Sequence, residues 1–166
     1  MDLPQLSADE YQQYNRCAVR MNFFHNMFRH AWTTMYEACE ANKLPAGMSL
    51  GQFFRFGLDF CNGLKGHHGA EERSIFPYLA KKMPAFRKEL ELLTQHKQIH
   101  AGLDSLTEYL EQCKEGQQEF RMQEMKEIMS GFGTVLWEHL NDEVEQLGAE
   151  NMRKYWTLEE MRDIPM

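Results

Sequence analysis

Apolar residues recur every three or four positions along four long stretches of the chain, and no stretch alternates with a period of two. That pattern calls for helices and leaves nothing for a sheet. Ser7-Ala8-Asp9-Glu10 is a capping box, so a first helix is expected from there to about Asn42. Residues 43–47 break the pattern, and Ser49 caps a second helix expected to reach about Lys82. Pro77 should kink its last turns. A third helix is expected to open at Pro84 and close near Gly116, and a fourth to run from about Glu119 to Leu147 with Gly148 as its stop. Links this short make neighbours antiparallel, so the expected fold is all-α, an up-and-down four-helix bundle. A further capping box, Thr157-Leu158-Glu159-Glu160, leaves room for one short C-terminal helix. Tyr155 and Trp156 precede it, placed to cover one end of the bundle. Residues 1–166 thus read as one domain, with a bundle core at about 8–148 and a tail at 149–166.

The formal charge of −7 gives nucleic acid and anionic membranes no footprint. No run of ~18 apolar residues is present, and the N-terminus lacks the basic start and apolar stretch of a signal peptide. Cys17, Cys39, Cys61 and Cys113 are scattered without a C-x-x-C pair, as expected of reduced core thiols in a cytoplasmic protein.

Seven histidines remain, and most of them interrupt apolar stripes. On the first helix, Cys17, Met21, His25, Phe28, Trp32 and Met35 share a face, whereas His30 belongs to a polar one. On the second, Phe60, Leu64, His67, Glu71, Ile75 and Tyr78 align, which puts His68 and Glu72 at the edge. The third aligns Leu90, Leu93, His96, His100, Leu103 and Leu106, and the fourth aligns Phe132, Leu136, His139, Glu143 and Leu147. His25 lies 17 residues before Asn42 and His67 lies 18 after Ser49, so the two fall at one height. The third helix comes level as well. The fourth does so only if the last link is loose or the helix starts late, near Arg121.

Five imidazoles and two carboxylates buried in one layer are very costly without compensation. Metal cations supply the missing charge and use the lone pairs. The set is too large for one tetrahedral zinc and suits two transition-metal ions with bridging carboxylates.

His25 with Arg29, then His67-His68-Gly69-Ala70-Glu71-Glu72 followed by Phe76-Pro77, then His96-x-x-x-His100 and His139-x-x-x-Glu143, resembles the hemerythrin-like, or HHE cation-binding, domain. The resemblance covers most of residues 15–147 and implies a non-heme diiron centre cycling between Fe2+ and Fe3+. It implies that His96, His100 and His139 hold one iron and His25 and His67 the other, with Glu71, Glu143 and an oxo or hydroxo group as bridges. Oxygen-carrying hemerythrins have an aspartate five residues after the fourth-helix histidine. Here Glu143 follows His139 by four, the pattern of the broader HHE group. A ferritin-like site would instead show E-x-x-H pairs in the core, and none is seen.

Dioxygen, or another small diatomic or peroxide ligand, is the partner the resemblance implies. No general acid, nucleophile or further cofactor motif accompanies the set, which favours reversible oxygen binding for storage or sensing over a dedicated enzyme. A diiron redox enzyme acting on oxygen, peroxide or nitric oxide is the alternative, followed by an iron- or oxygen-responsive regulatory module. Met21, Phe28 and Phe60, on stripes beside the metal layer, are expected to line an apolar ligand pocket.

Overall fold

A computed structural model describes residues 2–87 and 91–166. Helix α1 spans Ala8–Ala41. Its capping box closes as the sequence requires: the Glu10 amide donates to Ser7 Oγ, and the Ser7 amide donates to the Glu10 carboxylate. The helix ends where Asn42 turns left-handed, at φ 51°. Ser49 and Gln52 form a second capping box at the start of α2, Leu50–Ala70.

The expected kink at Pro77 takes a specific form. Proline has no amide hydrogen, and its ring crowds the carbonyl four residues back. The chain answers with a π-helical turn, Glu71–Ile75, in which the Phe76 amide reaches back to the Glu71 carbonyl, and α3 follows at Phe76–Leu79. The extra residue shifts the helix register by one. Phe76 and Leu79 are therefore fully buried, where a straight helix would have buried Ile75 and Tyr78.

The third helix also differs from expectation. Pro84–Phe86 is a separate 3-10 turn, ended by an extended Arg87, and α4 spans Glu91–Lys114. Leu90, assigned above to the third stripe, lies outside the described residues. Helix α5, Met122–Gln146, begins after Arg121, and this late start removes the mismatch in height. Two short helices complete the chain, α6 at Ala149–Met152 and α7 at Leu158–Met161, the latter opened by the Thr157–Glu160 capping box.

Helices α1 and α4 each pack against both α2 and α5, giving a closed ring of four. Gly102 lets α4 approach α5: a Cβ there would lie 2.3 Å from the Phe132 ring. Gly102→Ala gains about 1 kcal/mol of helix propensity but must displace a packed aromatic. It is expected to destabilise the protein by about 1–3 kcal/mol in urea unfolding.

The tail closes one end of the bundle. Arg16 of α1 donates to the carbonyls of Met161 and Met166, and buried Trp156 stacks on Tyr78 with ring centroids 5.6 Å apart. All four cysteines are buried free thiols. Among the described residues, no helix is long and apolar enough to cross a membrane.

Candidate metal centre

The apolar core is divided. One cluster holds Trp32, Phe60, Leu103 and Leu136, and the other holds Met21, Phe76, Leu147 and Trp156. Between their residues on each helix comes a polar one. His25, His68, Glu71, His96, His139 and Glu143 are fully buried, and the His67 side chain keeps 13% exposure.

Three of the rings are held from behind. Nδ1 of His25 lies 3.0 Å from the Leu140 carbonyl, that of His96 2.9 Å from a Glu72 carboxylate oxygen, and that of His139 2.9 Å from Gln95 Oε1. Each partner is an acceptor, so each Nδ1 carries the hydrogen and each Nε2 presents a lone pair inward. These inward atoms meet one another, and without a cation between them they are reconciled only by shared protons. His96 Nε2 stands 3.1 Å from His139 Nε2, and His25 Nε2 stands 3.1 Å from Glu143 Oε1. Glu143 Oε2 is also 3.1 Å from His139 Nε2. Glu71 is similarly enclosed, with Oε1 2.5 Å from His67 Nε2 and Oε2 3.1 Å from His96 Nε2, neither in hydrogen-bonding alignment.

Both nitrogens of His68, Nε2 of His67, both oxygens of Glu71 and Oε2 of Glu143 are buried without a hydrogen-bond partner. Each such group costs about 1–3 kcal/mol when left unsatisfied. Imidazoles oriented by an acceptor behind them, with inward lone pairs converging on carboxylates, form the usual surround of a metal ion. The donor set fits transition-metal cations.

Two groups of donors lie close enough to hold an ion each. His25, His67, Glu71 and Glu143 form one, and His68, Glu71, His96 and His139 the other; within each, the donor atoms lie within 4.8 Å of one another. Glu71 belongs to both. Six of the seven residues expected as ligands thus come together: His25, His67, Glu71, His96, His139 and Glu143. His100 does not join them. It is half-buried, its ring centroid is 6.1 Å from that of His68, and it belongs to neither group.

The expectation for His68 is corrected in turn. It is not at the edge but fully buried, stacked on His96 with centroids 3.9 Å apart. The cause lies in the helix faces. Buried α4 residues such as Leu92, Gln95 and Ile99 put the core-facing line around the site one position away from Leu93 and His100, so α4 is rotated there from the anticipated stripe. His68 occupies the space that this rotation leaves beside His96. Gln95 escaped sequence reading altogether, since one glutamine before a histidine carries no signal. It is nearly fully buried, and its amide nitrogen is 2.9 Å from Asp142 while its oxygen holds His139.

Burial and the Glu143 charge push the Glu71 carboxyl well above the usual carboxylate range. Burial would raise Glu143 too, but hydrogen bonds with His139 and His25 hold it well below that range. Two carboxylates in one dry layer do not both stay charged unless cations join them. Burial, reinforced by His96 and His139, keeps His68 well below the usual imidazole value, so it is a neutral donor.

Of the anticipated pocket residues, Phe28 packs on His67 at 5.3 Å and on Phe60 at 6.4 Å. Met21 belongs to the other apolar cluster, so it stands on the opposite side of the polar layer. Arg29, part of the first motif, instead donates to Asn22, Asn26 and Asn141. His30 is exposed.

The family model of the hemerythrin HHE cation-binding domain matches residues 20–149. The match includes all seven donor residues. A curated relative, the dimeric xanthone biosynthesis cluster protein R11 of Cryptosporiopsis sp. (strain 8999), is 27% identical over 150 residues, which are 84% of this chain and 54% of that protein. The chain therefore spans about half the length of this relative. No solved structure matches the chain.

Proposed function

The chain belongs to the hemerythrin HHE cation-binding domain family, and on that premise we propose that it holds two iron ions in the bundle and reversibly binds dioxygen, for storage or sensing. The observation that carries this reading is the inward lone pairs of His25, His96 and His139, each fixed by an acceptor behind the ring. His25, His67, Glu71 and Glu143 would hold one ion, and His68, Glu71, His96 and His139 the other. The iron pair supplies one-electron chemistry and open coordination positions for a small ligand.

The protein's own residues do the rest. Glu72, Gln95 and the Leu140 carbonyl keep each Nδ1 protonated and each ring aimed inward. Phe24 and Phe28 pack beside His67, with Phe60 behind Phe28, an apolar surround that favours a small uncharged ligand over water and ions.

One observation favours a second reading. The relative's name places that protein in a biosynthetic cluster, which supports a redox enzyme acting on oxygen or peroxide. A single experiment separates the two. The protein is loaded with Fe2+ without air, then exposed to oxygen while its absorption spectrum is followed. A charge-transfer band that forms in air and is reversed by removing oxygen is the expected result. A band that forms irreversibly, with peroxide consumed over many turnovers, would favour the enzyme. No band at all would sink both.

A further inference from the structure

Five of the seven most exposed large apolar residues, among those described, lie on α1: Tyr11, Val19, Phe23, Phe24 and Met27. Val19, Phe23 and Met27 are spaced four apart, so they form a straight ridge on the outer face of the helix, opposite the buried line of Cys17, Met21 and His25. They are 63%, 64% and 57% exposed. Phe24 widens the ridge towards α2. Its ring makes an edge contact with Phe23 at 5.8 Å and stands 5.7 Å from the ring of His67. The patch therefore borders the one donor of the metal centre that retains appreciable exposure.

We propose that this ridge pairs with the same ridge of a second copy of the chain, making a twofold dimer that covers the open edge of His67. The ridge is symmetric about Phe23. In an antiparallel crossing through that point, Phe23 meets the partner's Phe23, and Val19 meets the partner's Met27. Arg20 then faces the partner's Asn26, so it opposes no cation at the crossing. Ridges of residues four apart pack well against each other, in the commonest class of helix crossing.

The area fits a second copy better than a large partner. At roughly 200 Å² per aromatic ring, Phe23 and Phe24 together leave about 200 Å² to cover. With Val19, Met27 and the polar rim of Arg20 and Asn26, two copies bury on the order of 1,000 Å², near the lower limit for a specific interface. The dimer is thus expected to dissociate in the micromolar range. The pairing itself does not depend on the iron reading. Its consequence for the centre does.

Sedimentation of the metal-loaded chain from about 1 to 200 μM, a range set by that interface size, tests the proposal. A reversible monomer–dimer equilibrium is expected. Phe23→Asp should abolish it without changing the melting temperature, since Phe23 is exposed, and Phe23→Leu should retain it. A chain that stays monomeric throughout overturns the proposal, as does a dimer that survives both Phe23→Asp and Val19→Glu. A second readout follows loss of metal to an external chelator. It should slow as wild-type protein is concentrated and remain independent of concentration in Phe23→Asp. A dimer that loses metal at the monomer's rate would overturn the covering of His67 while leaving the pairing intact.

Discussion

His68→Ala is expected to lower the iron bound per chain from two to about one, whereas His100→Ala is expected to leave both. The contrast rests on burial and on membership of the donor groups. His68 has both nitrogens buried and unpartnered, in a side chain with no exposure, and it contributes to a group with Glu71, His96 and His139. Among the described residues no group offers it a hydrogen bond, so a cation or a trapped water is left to compensate it. His100 also has a buried, unpartnered Nε2, but it is only half-buried and lies outside both groups. Removing a group that merely orients a metal ligand typically weakens binding by about 10–100-fold. Gln95→Ala should fall in that range, and His68→Ala should exceed it. Anaerobic iron titration followed by metal analysis of the desalted protein measures all three. If His100→Ala loses an ion and His68→Ala does not, the iron has rotated α4 back to the stripe anticipated from sequence, and the assignment of the two imidazoles is reversed.

That choice also marks how far the sequence can be read. Helix periodicity and the two serine caps locate both ends of α1 and the start of α2 to within a residue or two, because local hydrogen bonds decide those ends. The height argument places His25, His67, Glu71, His96, His139 and Glu143 in one layer for the same reason, since rise along a helix is a fixed geometric quantity. Rotation about a helix axis is not local. Whether α4 turns His100 or the space beside His96 towards the core depends on how Leu92, Gln95 and Ile99 fit their neighbours. A three-or-four spacing is compatible with either. The π-helical turn is invisible to periodicity as well, since an even stripe assumes an even helix. Pro77 announced a disturbance without fixing its form. Supporting partners such as Gln95 and the Leu140 carbonyl are harder still, because a backbone oxygen leaves no trace in residue identity.

Removing the metal is expected to lower the melting temperature by roughly 20 °C, and Glu71→Gln should remove most of that difference. An ion that binds only the folded chain adds about 4.1 kcal/mol when present at 1,000 times its dissociation constant, so two add about 8 kcal/mol. For a chain of this length each kcal/mol moves the midpoint by about 2–4 °C. The metal-free protein bears the opposite burden, since its converging lone pairs and unpartnered oxygens are compensated only by shared protons. Glu71 is the residue where these arguments meet. It belongs to both donor groups, and in the metal-free layer burial beside Glu143 favours its protonated form. Glutamine has the shape of that form and no negative charge. The metal-free variant should therefore melt within a few degrees of the metal-free wild type, while metal stabilises it far less. Thermal unfolding of both proteins, with and without Fe2+ under argon, gives the four midpoints needed. Equal metal-induced shifts in the two proteins would mean that Glu71 does not join the ions. A wild type indifferent to metal would mean that the buried layer is built for protons alone.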